Sequence, residues 1–464
     1  MASNTEDGGA GHHLTDGTSA SASVASSGVP DPFAVVAEVR EIATANGLWP
    51  GLDPRNTPLL LYDGQRTLLF NYPNPVHGFE TIPYRGGVLA CAGLHPAARA
   101  NTSIELNGVR VAVVMLPLLP KTDTQRAAGV VIHEMYHVFQ LSHHARWAVN
   151  DMELLTYPRG DTAILSLRQM EDEALGRALS ARETSEAAGW AYCALGLRDE
   201  RMAMLPTDAA SYERGLEKLE GLAHYVQIRA LMTRADATED LTAQEIVVPR
   251  PAAGYGPDQI RPRAYYSGVH MALLLDRFEP AWRSRLEAAD SLELDGVLRN
   301  ALGPRQVMRE DFTAQERASY RKHATAAIRQ YEDDLQGARA RFLSRQGASI
   351  EIDAAPGHPL WPQGFDPMNL EPLDGNEVLH KRYLKLGNES GSLEVLGREA
   401  LTLGENGHPL GAGVRRVTIR GLPIATEVDG KNEGVRVKTD GLDLEFAHAV
   451  CRRDGGRIYI RLNE

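Results

Sequence analysis

Three residues within one five-residue stretch could do chemistry together. His133-Glu134-Met135-Tyr136-His137 is an H-E-x-x-H pattern. On an α-helix, residues four apart share a face, with Cβ atoms roughly 5–6 Å apart. Two imidazoles so placed can bind one metal ion, and Zn2+ suits such ligands. Glu134 follows the first imidazole and projects toward the same ion, where it can take a proton from water. That is the equipment for hydrolysis, with peptide bonds the leading class of substrate.

The pattern needs a helix beneath it. Just upstream, Thr122-Asp123-Thr124-Gln125 has the S/T-x-x-Q form of a capping box. Ala127, Val130, Val131, Met135, Val138 and Phe139 then recur at helical spacing, so the histidines lie on an apolar helix and not on a charged face. Before the cap, Val111 to Leu116 reads as a buried strand. Tyr136, inside the pattern, should point away from the metal.

A catalytic zinc site usually has three protein ligands, and the third decides the class. His143 has the spacing of the H-E-x-x-H-x-x-G-x-x-H pattern, but the glycine that would turn the chain back is Gln140. If the helix continues, His143 and His144 instead sit in its last turn and suit its dipole. Glu171 or Glu173, on an amphipathic segment, could ligate the ion or orient a histidine. Glu220 is the preferred ligand. It lies in Leu219-Glu220-Gly221-Leu222-Ala223, within a helix expected from Ser211 to Thr233. Gly221 costs about 1 kcal/mol relative to alanine in a helix. Its presence suggests close approach to another helix, as a ligand-bearing helix packed on the H-E-x-x-H helix requires.

With these segments in view, the chain resembles the gluzincins, in which the glutamate before G-x-A is the third zinc ligand. It looks most like a group of poorly characterised bacterial zincin-like proteins. The resemblance spans roughly residues 47–280. It rests on the H-E-x-x-H-V-F-Q stretch, the acidic segment from Glu171 to Leu179, Tyr212-Glu213-Arg214-Gly215 running into Glu220-Gly221-Leu222-Ala223, and a Y-x-x-G followed by L-L-D-R-F. It implies a zinc metallopeptidase with His133, His137 and Glu220 as ligands and Glu134 as general base. A downstream tyrosine or histidine would steady the oxyanion, from Tyr265, Tyr266 and His224. Tyr265 is preferred, because the resembling group has a tyrosine three residues before the glycine, here Gly268. The chain departs from the pattern at Leu219, where a polar residue is common, and at His224, where an aspartate would hold a zinc-bound histidine. Support for that histidine then falls to Asp151, Glu171 or Asp172. The 82 residues between His137 and Glu220 also exceed the usual short spacing.

The rest of the chain sets the frame. A net charge of −12 with no basic stripe argues against nucleic acid or an anionic membrane as partner. No segment approaches the ~18 apolar residues of a membrane span, and no secretory signal is visible, so a cytoplasmic protein acting on peptides or proteins is expected. Three scattered cysteines, Cys91, Cys193 and Cys451, read as free thiols. The expected fold class is α+β: a mainly helical zincin-like catalytic domain with a small N-terminal β-sheet, then a C-terminal antiparallel β domain.

Residues 1–30, rich in Gly, Ser, Ala and Thr and including His12-His13, read as a disordered tail. Residues 31–120 open with a helix from Pro32 to Gly47. They continue through the Asn71–Pro75 loop into a β-rich stretch from about 80 to 117, with turns at Gly86-Gly87 and Asn107-Gly108. The edge of that sheet could bind an extended substrate. Residues 121–346 form the helical core, closing on a long charged helix opened by Thr313-Ala314-Gln315-Glu316. Residues 347–464 show short alternating runs with turn signals at Asp429-Gly430, Asp440-Gly441 and Asp454-Gly455, a β-sandwich or small barrel. Pro359 to Phe365 is expected to cover the junction. Two other functions share these features: a zincin fold used for binding or scaffolding, and a non-peptide amidohydrolase.

Overall fold

A computed structural model describes residues 28–463, apart from 45–46, 85–86, 99, 120–122, 234–254, 305–309, 375, 406 and 430–433. The tail as far as residue 27, with His12-His13, lies outside the described residues, as do Thr122, Gly86 and Gly430.

The first helix, α1 (Pro32–Ile42), is capped by Asp31, whose carboxylate accepts from the Ala34 amide at 3.0 Å. It ends at Ile42, short of the expected Gly47. Next comes a six-stranded sheet: β1 (Leu59–Tyr62), β2 (Arg66–Phe70), β3 (Glu80–Ile82), β4 (Val88–Ala92), β5 (Thr102–Leu106) and β6 (Val109–Met115). Its order is β3-β4-β2-β1-β6-β5, antiparallel except for β1 against β6. Asn107 and Gly108 both take positive φ, 46° and 79°, as a two-residue β5–β6 hairpin requires. The hairpin leaves β5 at the edge of the sheet.

The central strands are buried on both faces. Leu59, Leu61, Ala112 and Val114 face the helical core, while Leu60, Leu69, Val111 and Val113 face a smaller apolar cluster. Such strands show a continuous apolar run and no alternation. Against the sheet packs α2 (Thr124–His143), then α3 (Thr162–Ser180), α4 (Thr184–Met202), α5 (Thr207–Leu216), α6 (Leu222–Met232), α7 (Ile260–Phe278), α8 (Trp282–Glu287), α9 (Leu294–Leu302) and α10 (Ala314–Leu343). The capping box expected at Thr313 and Glu316 opens α10.

Strand pairing resumes at Ala348. A seven-stranded sheet and a five-stranded sheet enclose one apolar core, in which Ile350, Val417, Ile419 and Ile458 meet Leu384, Leu393, Val395 and Leu444. Pairing is antiparallel except between Ala348–Asp353 and Arg457–Leu462, which run parallel. The fold class is therefore α+β, a helical region with a small N-terminal sheet followed by a C-terminal sheet domain. Trp361–Phe365, within the stretch expected at the junction, forms a strand. It is the edge strand of the five-stranded sheet. The sandwich is seated on the helical part through Phe342 against Leu379 and Leu401, and through Met152 and Leu155 against its core. No helix among the described residues is long and apolar enough to cross a membrane, and Cys91, Cys193 and Cys451 form no disulfide with one another.

Candidate metal centre and its cleft

The H-E-x-x-H helix is capped by Asp123, which accepts from the Arg126 amide at 2.8 Å. Its apolar flanks are covered by the sheet and by α6, and Tyr136 turns away from the site to pack on Trp49 at 5.2 Å between ring centroids. The remaining face carries His133 and His137 one turn apart, with their Nε2 atoms 3.1 Å from each other.

Glu220 arrives from a second helix whose winding changes at the site. Between α5 and α6, Glu217–Gly221 forms a π-turn, which inserts one extra residue and re-aims the side chains after it. Immediately beyond it, α6 and α7 cross with two glycines in contact. A Cβ on Gly221 would lie 2.6 Å from the Gly268 Cα and 2.9 Å from the Ala264 carbonyl oxygen, closer than atoms can approach. The partner at Gly221 is thus α7, and not the H-E-x-x-H helix. That helix instead meets α6 at Gly129, beneath Leu231. The glycine crossing brings the first turns of α7 to the site and delivers Arg261 and Tyr265.

The three donors converge. Glu220 Oε2 lies 3.3 Å from His137 Nε2 and 3.8 Å from His133 Nε2. All four side chains are buried: His133 at 7% exposure, Glu134 at 6%, His137 at 8% and Glu220 at 5%. Glu220 Oε2 accepts no well-formed hydrogen bond, although both imidazoles and the Tyr265 phenol interact with this carboxylate. A buried carboxylate oxygen without a well-formed hydrogen bond is costly, and the arrangement makes sense if a cation takes that place. The separations are also close to the roughly 3.3 Å edge of a tetrahedron with ligand bonds of about 2.0–2.1 Å. Among the described residues His133, His137 and Glu220 form the single group able to hold a metal ion.

Two further residues hold the donors. Gln140 Nε2 donates to the carbonyls of Lys218 (2.9 Å) and Leu219 (3.2 Å), so its Oε1 must face His137 Nδ1, 2.9 Å away. That oxygen accepts the Nδ1 proton and leaves the Nε2 lone pair of His137 for a ligand. Arg261 donates to Glu220 Oε1 and to Asp151, and Asp151 also accepts from the Tyr212 hydroxyl at 2.9 Å. Asp151 therefore supports the glutamate through Arg261, and supports neither histidine directly. His133 Nδ1 has no hydrogen-bond partner, and the His224 ring centroid lies 6.4 Å from that of His133.

The electrostatics follow from this packing. Burial pushes the Glu220 carboxyl up, but the two imidazoles and Arg261 outweigh it and hold the group well below the usual carboxylate range. Burial raises Glu134 above its ordinary value, with the histidines opposing and Glu220 adding to the rise. A raised carboxylate is a better proton acceptor than an exposed one. Burial and the Glu220 charge push the Tyr265 phenol well up, so it stays a donor. Burial, then the charge of His133, lowers His224 to about 4.

The other candidate ligands are elsewhere. With Gln140 in place of glycine the helix runs on, and His143 ends exposed with Nδ1 against the Phe139 carbonyl at 2.9 Å. Glu171 is enclosed by Arg198, Arg201 and Arg263 at 2.6–2.7 Å. Glu173 pairs with Arg177, and Asp172 with Arg263. Glu171 and Asp172 thus belong to a buried arginine–carboxylate network, not to the support of a metal-bound histidine. The network does reach the site. Glu217, in the π-turn, is gripped by Arg198 and by the Ser267 hydroxyl at 2.6 Å, which pins the turn that carries Glu220. A sequence trace of it exists: Arg198 and Arg201 three apart, and Glu213 and Glu217 four apart, each pair on one helix face.

The donors floor a cavity of about 700 Å³. One wall is the edge strand, from Asn101 to Ile104. The other is the sandwich, through Phe365, Asp366, Arg382 and Tyr383. Glu134, Arg261 and Tyr265 line it as well, and Tyr265 stacks parallel to the His133 ring at 5.9 Å. Tyr266 and His224 do not line the cavity and pack on each other at 5.8 Å. No protein-family model, no curated protein and no solved structure matches this chain.

Proposed function

We propose that the protein is a zinc-dependent, gluzincin-like metallopeptidase. The observation that carries this reading is the convergence of His133, His137 and Oε2 of Glu220 beside Glu134, at the edge of the N-terminal sheet. Two imidazoles and one carboxylate are a donor set that suits Zn2+. When bound, zinc supplies Lewis acidity toward a carbonyl and lowers the pKa of water to about 7.

The chain's own residues account for the rest. The β5 edge offers main-chain donors and acceptors that can hold an extended peptide across the cavity. Glu134, buried and raised, takes the proton of the attacking water and returns it to the leaving amine. Tyr265 keeps its hydroxyl protonated and donates to the developing oxyanion. Gln140 and Arg261 hold His137 and Glu220 in place.

Metal analysis and a single variant test the reading. The purified protein is expected to carry about one zinc per chain. Glu134→Gln is expected to keep the zinc and lose peptide hydrolysis by about 10²–10⁴-fold. Full activity in that variant would remove Glu134 as the base.

A further inference from the structure

The cavity over the three donors does not stop at the site. Arg261, Pro367 and Asn369 line it, and the same three side chains line a second cavity of about 370 Å³. The two cavities therefore adjoin, with Arg261, Pro367 and Asn369 as the partition between them. Beyond Arg261, the second cavity lies between the first turn of α7, the flank of α10 with exposed Gln330 and half-buried Tyr331, and the sandwich at Leu370 and Lys381.

The sandwich wall is built to stay in place. The Asp366 carboxylate accepts from Arg382 and from Asn369 Nδ2, each at 3.0 Å, and this fixes the loop on both compartments' shared side. Met152 and Leu155, in the short helical segment that opens at Asp151, pack against the sandwich core and tie that wall to the metal site.

The chemistry of the second compartment narrows its ligand. Arg159, Arg261 and Lys381 are matched there by Asp258, Asp334 and Glu371. A wall of both signs gives no net attraction for a phosphate or another polyanion. It does suit the alternating amides and varied side chains of a polypeptide. A small amide or a dipeptide would need the first compartment alone.

Resting on the peptidase reading above, we propose that the second compartment is a distal subsite for an extended polypeptide. The protein then acts on chains that continue several residues past the scissile bond, and the C-terminal sandwich is part of its substrate-binding surface.

The test uses the full-length, zinc-loaded Glu134→Gln chain. Its binding to fluorescein-labelled, end-blocked dodecapeptide and dipeptide libraries is compared by anisotropy. The dodecapeptides are expected to bind about tenfold tighter or more, equivalent to about 1.4 kcal/mol. Gln330→Trp, which fills the second compartment from an exposed helical position, is expected to bring the ratio toward one. Tyr331→Ala, which enlarges the compartment, is expected to lower the ratio as well. Equal binding of both lengths, untouched by either variant, would overturn the distal subsite while leaving a zinc peptidase of short substrates. If the zinc-loaded chain bound no peptide of either length, the peptidase reading itself would fall, and the subsite with it.

Discussion

Gln140 joins His137 to the turn that carries the third donor. Its Oε1 stands 2.9 Å from His137 Nδ1, and its Nε2 stands 2.9 Å from the Lys218 carbonyl, two residues before Glu220. One amide therefore sets both the tautomer of an imidazole and the distance between two helices. Gln140→Met keeps the side chain's length and removes both functions. Zinc affinity is expected to fall about 10–100-fold, read by competition with a chromogenic chelator. Gln140→Glu, which keeps the acceptor for His137, should retain more affinity than Gln140→Met. Equal affinity in all three proteins would show that the amide does not orient the site.

Arg261 stands between two carboxylates, buried Glu220 and half-buried Asp151. Arg261→Met leaves both without their cation, and breaking a buried pair costs about 3–5 kcal/mol. Zinc would neutralise Glu220 in place of the guanidinium. The loss of stability should therefore be larger in chelator than with zinc present, measured as Tm under both conditions. An identical drop in the two conditions would separate Arg261 from the metal centre.

The glycine crossing should tolerate no methyl group. Gly221→Ala places a Cβ 2.6 Å from the Gly268 backbone, and the helices must part. A destabilisation of about 1–3 kcal/mol is expected in urea unfolding, with weaker zinc binding, because α7 carries Arg261 and Tyr265. Unchanged stability would mean that α6 and α7 do not cross so closely.

The buried network predicts acid sensitivity. Burial pushes the Glu213 carboxyl up, but Arg201 and Arg263 outweigh it and hold the group at about 2, against an ordinary 4.5. Glu171 is held lower still by Arg201, Arg263 and Arg198. The unfolded chain takes up these protons near 4.5, while the folded chain resists until about 2. The network's contribution is therefore whole above 4.5 and is lost as the pH falls toward 2. Urea midpoints across this window should fall steeply. Glu213→Gln should start less stable at neutral pH and show a shallower slope.

What could be read from residues alone divides along physical lines. The H-E-x-x-H pair, the Thr313 capping box and the Asp440-Gly441 and Asp454-Gly455 turns are local, set by neighbours within a few positions. Glu220 was legible because a glycine follows it inside a helical pattern. The π-turn was not, because one extra residue in a single five-residue turn is too short to leave a period of its own in the sequence. β1 and β2 carry no clear signal in the sequence although they sit at the centre of the N-terminal sheet. Each is short and leucine-rich, buried on both faces, with no alternation to mark it. Arg261, 41 residues from Glu220, and the sandwich wall, more than 200 residues from His133, come to the cleft through tertiary packing alone. Gln140 looked like a defect in one ligand pattern, and its value appears once the carbonyls of Lys218 and Leu219 are beside it.

The central claim is that three side chains from two helices close on one cation. Anomalous diffraction at the zinc edge, on crystals of the zinc-loaded protein, tests it most directly. The account predicts one peak at bonding distance, about 2.0–2.2 Å, from His133 Nε2, His137 Nε2 and a Glu220 oxygen. No peak between these residues, or zinc bound with Glu220 turned away from it, would contradict the account.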